Sequence, residues 1–308
     1  MPWGSSRNCI GPTGITLMAR MTLALTAVLV LCAAAAAPAT YPLTVTDALG
    51  RIVTLGAPPQ RIVSLAPNVT EILFALGVDE RIVGISDADD YPRDRLAERA
   101  RVGGVELNVE AIVGLRPDLI VGLSELQPEQ LLSLITLGLP VVALQTRTLP
   151  DVYALIAVLG HLTGRDDSAR RVVSAMRARE DSVTSAVRGR RSLRVYLEVW
   201  GEPPIAAGSL TFVDDLIRRA GGVNILSDLP LWPQVVEEIV IARDPEVILL
   251  TYPGRGQLMG RPAWGHVAAV RSGRVVEVPS TLVSRPGPRV VLGLEALARA
   301  IHPHAGQP

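Results

Sequence analysis

The side chains that most often carry catalysis or bind metal ions are few and scattered in this sequence. Its four histidines are His161, His266, His302 and His304, and their spacing does not match a three-histidine metal site. No acidic pair and no serine, histidine and aspartate set stands out at the ends of the predicted strands. We therefore expect a protein that is not an enzyme and that has no resident metal or cofactor.

One glycine-rich segment invites a nucleotide-binding interpretation. The segment TYPGRGQLMG, residues 251–260, follows a predicted strand and contains Gly-x-Gly. A dinucleotide site needs a third glycine at fixed spacing and an uninterrupted helix behind it. Here the third glycine is misplaced and Pro262 interrupts the helix. An exported α/β enzyme is kept as an alternative of another class, beside an exported interaction module without a small ligand.

An abrupt change from strand to helix marks the first candidate binding position. In RIVSLAPNVTEILFALG, residues 61–77, an apolar run ends at Asn68 and an apolar helix pattern begins at once. Asn68 as N-cap with Glu71 three residues later predicts a capping box. Strand-to-helix turns of α/β folds also face the ligand crevice, so Asn68 is a candidate ligand contact.

Alternating strand and helix patterns predict two α/β lobes. After a hairpin over residues 43–55, the first lobe has strands predicted at 61–66, 81–86, 118–123 and 141–145, with helices at 69–76, 108–115 and 127–137. The second lobe has strands predicted at 193–199, 247–252 and 274–278, with helices at 212–220, 235–242 and 289–301. This alternation is typical of mostly parallel sheets covered by helices on both faces.

The segment between the lobes predicts one long helix. In residues 166–191, Val172, Val173, Met176, Val183 and Val187 recur at helical spacing, and no glycine or proline interrupts them before Gly189. A flexible linker would be rich in glycine and serine. Two lobes joined by a rigid helix imply a cleft between them and only modest closure.

The first residues predict export. Arg20, the apolar run of residues 21–37 and the small-residue pattern ending at Ala39 are typical of a cleaved signal peptide. The stretch ahead of Met18 is compatible with an over-extended gene start. Cys32 offers a lipoprotein anchor as an alternative, which the bulky Leu31 disfavours. The expected location is periplasmic or otherwise exported.

We divide the chain on this basis into four segments. They are a signal peptide at residues 1–39, an N-terminal lobe at 41–149, a helical connection at 150–191 and a C-terminal lobe at 192–308. Thirty basic residues balance 30 acidic ones, so we expect no nucleic-acid partner.

The two lobes repeat one sequence pattern. VEAIVGLRPDLIV, residues 109–121, aligns with EEIVIARDPEVIL, residues 237–249. Glu110 and Glu238 fall at equivalent places, each seven residues before a proline and near a helix start. The repeat predicts a pseudo-symmetric molecule.

Six motifs in order resemble a known family. They are residues 61–77, DYP at 90–92, LNVEAIVGLRPDLIV at 107–121, YLEVWGEPPIAAG at 196–208, LWPQVVEEIVIARDPEVIL at 231–249 and RPGPRVVLGLEALARAIHP at 285–303. They are similar to the substrate-binding proteins of ABC importers that have a rigid interdomain helix. That group handles vitamin B12, haem and ferric siderophores, and the likeness is greatest to its cobalamin-binding members, particularly around Trp232.

The resemblance implies a monomeric binder with two Rossmann-like lobes and a ligand cleft between them. It implies delivery of a metal-chelate macrocycle, with a corrinoid favoured, to a two-fold symmetric permease served by ATPase subunits. By motif, the implied ligand contacts are Asn68, Tyr91, Gly104, Trp200, Trp232 and Arg285. Tyr252 is added because siderophore binders of this group tend to place arginine or tyrosine in the cleft. The family's glutamate pair, which contacts permease arginines, falls on Glu110 and Glu238.

The sequence also departs from the cobalamin-binding pattern. Aromatic ligand contacts of those members fall here on Ala88, Gly104, Leu123 and Ile205. Several stacking faces are therefore missing, and haem, another corrinoid or a ferric siderophore stays open as the ligand.

Overall fold

The structure, a computed structural model, describes residues 40–303. The predicted signal peptide, its cleavage near Ala39 and the tail residue His304 lie outside this part of the chain. The predicted fold class, two α/β lobes joined by a long helix, is confirmed.

The N-terminal lobe is built on a five-stranded parallel sheet. Its elements are β1 (Leu43–Thr46), β2 (Ile52–Leu55), β3 (Ile62–Ser64), α1 (Pro67–Leu76), β4 (Ile82–Ile85), β5 (Ala100–Arg101), α2 (Val109–Gly114), β6 (Leu119–Leu123), α3 (Pro128–Thr136) and β7 (Val141–Leu144). β1 and β2 form the predicted hairpin, and the sheet has the spatial order β5-β4-β3-β6-β7. β3, β6 and β7 are buried along their whole length, as expected for strands covered on both faces.

Two consecutive helices connect the lobes. α4 (Leu149–Thr163) ends at Gly164, whose φ of 68° lies in the left-handed region that glycine tolerates, and α5 (Asp166–Val187) begins two residues later. α5 has 22 residues and is therefore about 33 Å long. It ends four residues before its predicted end, since Arg188 adopts an extended backbone and Gly189 a left-handed one.

The long helix α5 packs against α1 of the N-terminal lobe and is bonded to α4 and to the C-terminal lobe. Glu180 in α5 accepts a hydrogen bond from Tyr153 Oη of α4 at 2.7 Å and forms an ion pair with Arg219 of the C-terminal lobe. Asp215 of that lobe accepts a hydrogen bond from the backbone N–H of Leu149 at 2.9 Å. These contacts favour a rod over a hinge.

The C-terminal lobe repeats the strand order of the first. Its elements are β8 (Leu193–Gly201), β9 (Pro204–Ala206), α6 (Phe212–Arg219), β10 (Gly222–Asn224), α7 (Glu237–Arg243), β11 (Val247–Leu250), α8 (Arg255–Met259), α9 (Ala268–Arg271), β12 (Val275–Glu277), α10 (Ser280–Val283) and α11 (Val290–Ile301). Parallel strands run in the order β10-β8-β11-β12, and β9 adds an antiparallel strand to β8. The order matches β4-β3-β6-β7, so the predicted pseudo-symmetry is present in the topology.

The repeat between the two lobes also includes individual hydrogen bonds at the starts of equivalent strands. Asp118, just before β6, accepts a hydrogen bond from the backbone N–H of Arg61 at 2.8 Å and donates its own N–H to that residue's carbonyl at 3.0 Å. Glu246, just before β11, makes the same two bonds with Arg194 at 3.0 and 2.8 Å. Each pair joins the starts of two neighbouring parallel strands. α2 and α7 are therefore equivalent elements.

Candidate functional site

A cleft of about 610 Å³ lies between the two lobes. The N-terminal lobe lines it with residues that follow the carboxyl ends of β3, β4, β6 and β7: Pro67, Asn68, Ala88, Leu123, Ser124, Glu125, Leu126, Gln145, Thr146 and Arg147. The C-terminal lobe lines it with Leu210, Thr211, Phe212, Leu231, Trp232, Ser284, Arg285 and Pro286. Ligands of open parallel sheets bind at this edge of the strands.

The N-terminal wall is largely polar. Glu125, just after β6, accepts hydrogen bonds from the N–H and the hydroxyl of Thr146, both at 2.9 Å. Gln145 and Arg147, just after β7, place an amide and a guanidinium group on the same wall. The sequence interpretation missed these residues, although their position directly after β6 and β7 was a usable signal.

The C-terminal wall is apolar and unusually shaped. Trp232 is 40% exposed, while Leu210 and Leu231 are 56% and 52% exposed. Both leucines have left-handed backbones, with φ of 63° and 61°. A left-handed conformation costs a residue with a Cβ about 1–2 kcal/mol. The sequence interpretation found Trp232 but neither leucine, because a left-handed leucine has no sequence signal.

Asn68 lies on the cleft, but it is not the predicted N-cap. The helix α1 begins one residue earlier, with Ala66 as N-cap and Pro67 at its first position, and no side chain caps it. Proline suits the first helical position, since it has no N–H to satisfy and its φ is already helical. Asn68 instead donates from Nδ2 to the carbonyl of Pro286 in the other lobe at 3.3 Å. The capping-box prediction for Asn68 and Glu71 is therefore wrong.

Two ion pairs join the lobes beside the cleft. Glu71 of α1 is buried and accepts two hydrogen bonds from Arg289, at 2.9 Å from Nε and 2.5 Å from Nη2. This bond to Glu71 raises the pKa of Arg289. Arg285 forms a bidentate pair with Asp90 and thereby lowers the pKa of the Asp90 carboxyl. Arg285 thus lies on the cleft with its guanidinium engaged across the junction.

Tyr91 is placed beside the cleft rather than in it. Its exposed ring carries the guanidinium of Arg289 at 3.8 Å from the ring centroid. Tyr91, Asp90 and Arg289 line a separate depression with Thr281. Its role as a ligand contact stays a prediction.

Three other predicted contacts are not among the residues that line the cleft. Trp200 is exposed and donates from Nε1 to the carbonyl of Glu202 at 2.8 Å. Tyr252 packs over Gly254 and donates its hydroxyl to buried Glu198. The Gly104 carbonyl accepts a hydrogen bond from Gln127.

The environment of Tyr252 is internal to the C-terminal lobe. Burial raises the pKa of the Glu198 carboxyl, which also accepts a hydrogen bond from Tyr196 Oη at 2.7 Å. Burial likewise raises the pKa of Tyr252. A Cβ added to Gly254 would lie 2.1 Å from the Tyr252 ring, so this glycine makes room for an aromatic ring and does not shape a phosphate loop.

One charged side chain near the cleft has no hydrogen-bond partner. Both carboxylate oxygens of Asp89 are buried and unpaired among the described residues 40–303. Burial raises the pKa of Asp89 to about 6, against the opposing effects of Thr70, Arg101 and Arg285. Its neighbour Ala88 lines the cleft, so this charge lies close to the site.

Residues 40–303 contain neither a clustered metal site nor a membrane-spanning helix. In this part of the chain, no three or more His, Cys, Asp or Glu side chains come together as a metal site. No helix there has the length and apolar character needed to cross a bilayer.

The sequence matches a family of known fold and architecture. The family model described as periplasmic binding protein matches residues 62–282. The chain belongs to the periplasmic binding protein family. The resemblance found on six motifs is thereby confirmed at the level of the family.

Similar proteins within this family have several ligands. The uncharacterized ABC transporter substrate-binding lipoprotein YvrC of Bacillus subtilis (strain 168) is 30% identical over 274 residues, 85% of this chain and 86% of that one. The crystal structure of the periplasmic vitamin B12 binding protein BtuF of Vibrio cholerae has a TM-score of 0.74 at 28% identity, covering 81% of this chain and 99% of that chain. The periplasmic heme-binding protein RhuT from Roseiflexus sp. RS-1, in apo form, has a TM-score of 0.71 at 26% identity, covering 80% and 99%.

The positions where this periplasmic binding protein lacks aromatic side chains divide into two groups. Ala88 and Leu123 line the cleft, and neither offers an aromatic stacking face there. Gly104 and Ile205 are not among its lining residues, and Ile205 pairs with Trp200 in the β8–β9 ladder. Only the first two absences bear directly on the shape of this cleft.

Glu110 and Glu238 occupy matching positions in the two lobes. Each lies in the first turn of its helix, α2 or α7, and each is exposed. No hydrogen bond or ion pair with another residue of the described part, 40–303, is found for either carboxylate. Because α2 and α7 lead into β6 and β11, both helices begin at the carboxyl edge of the strands, on the same side as the cleft.

Proposed function

We propose that this protein is the substrate-binding component of an ABC importer and that it captures a metal-chelate macrocycle, with a corrinoid favoured. The observation that carries the proposal is the interlobe cleft with Trp232 and an apolar wall on one side and polar groups on the other. An aromatic face offers contact area to a flat macrocycle, and polar groups can pair with its substituents. The likeness to a vitamin B12 binding protein supports the corrinoid.

A haem or a ferric siderophore is the second candidate of the same kind. Arg147 and Arg285 place two guanidinium groups at the cleft, and guanidinium groups bind carboxylates in a bidentate manner. Haem carries two carboxylates, whereas the substituents of a corrin ring are mostly amides. Arg285 is already paired with Asp90, so Arg147 is the more available of the two.

The same proposal includes binding without chemical turnover and without a resident cofactor. The family to which the chain belongs consists of binding proteins, and the similar proteins named above are transport components. In the glycine-rich segment, α8 has five residues and Pro262 begins a separate 3₁₀ turn. This short helix offers little support for the enzyme alternative.

We propose that Glu110 and Glu238 dock the protein on the permease to which it delivers its ligand. Glu110 and Glu238 present one carboxylate per lobe on the cleft side, which suits a two-fold symmetric permease dimer with its ATPase subunits. Carboxylates placed in a first helical turn also stabilise the helix by about 0.3–1 kcal/mol. That effect alone does not require the same acidic position in both lobes. We propose a monomeric binding protein as the docking form.

The proposal also includes export of the protein and cleavage of its signal peptide. The signal peptide predicted at residues 1–39 and the names of the similar proteins, two periplasmic and one a lipoprotein, favour a location outside the cytoplasmic membrane. Sequencing the amino terminus of the exported form should find it near Ala39. A mature protein that retains Met21 would contradict cleavage at this place.

The test of ligand identity is an absorption spectrum followed by titration. Protein purified from its native host should show bands of a corrinoid, a haem or a ferric chelate, which absorb at different wavelengths. Titration of unloaded protein with cobalamin, cobinamide, haem and ferrichrome should then rank them, with a corrinoid first. Binding of none of these, or conversion of a bound ligand to product, would overturn the proposed function.

A further inference from the structure

The apolar wall of the cleft is built from two loops that hold each other in place. Residues 204–211 and 229–235 run side by side, with Gly208 N–H donating to the Leu231 carbonyl at 2.8 Å and Leu231 N–H donating to the Ser209 carbonyl at 2.7 Å. A Cβ at Gly208 would lie 2.1 Å from the Leu229 carbonyl oxygen, so only glycine permits this approach. The Thr211 hydroxyl, which donates to the Gly208 carbonyl, also caps α6.

Two leucines of these loops adopt an unfavourable backbone conformation that burial of their side chains does not offset. Leu210 and Leu231 combine a left-handed backbone with a side chain that is more than half exposed. Glycine or asparagine is the ordinary residue for a left-handed position, and an exposed leucine buries little surface. Backbone strain that brings no packing gain is typical of binding sites, where the conformation presents a side chain to a ligand.

Both leucines face the same space. Leu210 and Leu231 line the interlobe cleft together with Trp232, and the opposite wall carries Ser124, Glu125 and the other polar groups described above. The exposed apolar side chains of the C-terminal wall, beside Arg285 and Ser284, thus face a wall that carries most of the polar groups of the cleft. We propose that Leu210 and Leu231, with Trp232, form a leucine shelf that binds the hydrophobic face of a planar macrocycle. This inference rests on the proposed function of the cleft.

The leucine shelf has a consequence for selectivity. A corrin or porphyrin ring presents a broad face of carbon atoms, which the shelf removes from water, and directs its polar substituents toward the N-terminal wall. A hydrophilic chelate such as ferrichrome has no comparable face. The shelf therefore favours ring macrocycles over hydrophilic ferric chelates.

The test replaces each leucine by glycine and measures stability and binding together. Leu210→Gly and Leu231→Gly should each raise the Tm by about 2–4 °C, because glycine relieves the left-handed strain. Each should also weaken binding of cobinamide or haem by about 10-fold to 100-fold, since a buried leucine contact is lost. Ferrichrome binding, where it is measurable, should change by less than about 3-fold.

Two further variants test whether a loss of affinity comes from the missing leucine side chains or from the greater flexibility of a loop that contains glycine. Leu210→Asn with Leu231→Asn keeps a side chain that tolerates the left-handed backbone, and it should lose macrocycle affinity as the glycines do. Leu137→Ala removes an exposed leucine after α3, at the far end of its lobe, and should leave affinity unchanged.

The outcomes distinguish the shelf from the proposed function. Wild-type binding of a macrocycle with equal affinity in the glycine and asparagine variants would overturn the shelf and leave the proposed function intact. Variants that are less stable than the wild type would show that the left-handed leucines serve the fold, which also overturns the shelf. A wild-type protein that binds ferrichrome but no corrinoid or haem would overturn the shelf alone, and one that binds none of cobalamin, cobinamide, haem and ferrichrome would overturn both.

Discussion

Asp89 is a carboxylate near the cleft that is buried without hydrogen bonds from residues 40–303 to offset its loss of contact with water. It is 4% exposed and its carboxylate has no hydrogen-bond partner in the described part of the chain, so water is not replaced by protein donors. The folded protein therefore holds the proton more tightly than the unfolded chain does, with a pKa of about 6 in place of about 3.8. Such a carboxyl makes stability depend on pH.

We predict that the free energy of unfolding falls as the pH rises from about 4 to about 6. Between these values the folded state binds a proton at Asp89 that the unfolded state does not bind, and above about 6 both states have lost it. Asp89→Asn should remove this slope and stabilise the protein at pH 7.5 by about 1–3 kcal/mol. Urea titrations at several pH values would measure it.

The matched control for this prediction is Asp87→Asn. Asp87 is exposed two residues away in the same loop, and its replacement should leave the slope between pH 4 and 6 in place. An unchanged pH profile in Asp89→Asn would show that the carboxylate finds donors in solution, such as water.

The aromatic side chains of Trp232 and Phe212 line the cleft, and Trp232 is exposed while Phe212 is buried. We predict that Trp232→Ala weakens macrocycle binding by about 1–3 kcal/mol, because an aromatic stacking face is lost at the centre of the apolar wall. Trp200→Ala should have a smaller effect, since the ring of Trp200 is exposed outside the cleft lining. Isothermal titration of both variants decides between them, and equal losses would mean that Trp200 also reaches the ligand.

Most helices and strands were predictable from the sequence within a few residues. The apolar runs of β3, β6 and β7 and the helical spacing in α5 carried that information, because burial imposes them on the sequence. The start of α1 was not predictable in the same way. Asn68 satisfied the pattern of an N-cap, but Pro67 fits the first helical position, and Asn68 is drawn to a carbonyl of the other lobe.

The candidate site was predictable only where a residue type itself suggested binding. Asn68, Trp232 and Arg285 lie on the cleft, as the family motifs implied. Trp200 and Tyr252 were equally plausible from sequence, yet one ring faces solvent and the other packs inside its lobe. The difference depends on how β8 and its neighbours are arranged in space, which local sequence does not determine.

The start of α1 and the loop before α11 form the strongest tie between the lobes at the cleft. Glu71 and Arg289 are joined by two hydrogen bonds across the junction, and the Glu71 side chain is 3% exposed. We predict that Glu71→Gln lowers the free energy of unfolding by about 2–4 kcal/mol, because it leaves the Arg289 cation partly buried without its partner.

A double-mutant cycle tests this tie. Glu71→Gln, Arg289→Gln and the double variant should show a coupling energy of more than about 1 kcal/mol in urea denaturation. Glu98→Gln, at an exposed glutamate of the same lobe, should change stability by less than about 0.5 kcal/mol. Additive effects of the two substitutions would mean that Arg289 is held by Tyr91 and not by Glu71.

The whole molecule combines a long helix, α5, that braces the lobes with a pseudo-symmetric arrangement of the two lobes. α5 packs against α1 and is joined to the C-terminal lobe through Glu180, and Asp215 joins α6 to the start of α4, so large changes in lobe orientation would break several of these contacts. The lobes share one strand order and one pattern of strand-start hydrogen bonds. Glu110 and Glu238 lie at matching helix starts of the two braced lobes.

A matched pair of exposed carboxylates is suited to docking on a partner with two-fold symmetry. Glutamate–arginine pairs can be bidentate, and charges at the rim of an interface act mainly on association. We predict that Glu110→Arg with Glu238→Arg preserves the fold and ligand affinity but abolishes permease binding and uptake. The loss should be greater at low salt, where charge repulsion is less screened.

The control must carry the same change of charge away from the docking side. Glu80 and Glu98 are exposed and lie just before β4 and β5, at the amino edge of the sheet and so opposite the starts of α2 and α7. Glu80→Arg with Glu98→Arg should therefore leave uptake near the wild-type rate, although the net charge changes equally. If both double variants lose uptake, total charge is the cause; if the Glu110 and Glu238 variant transports normally, the two carboxylates act only on their own helices.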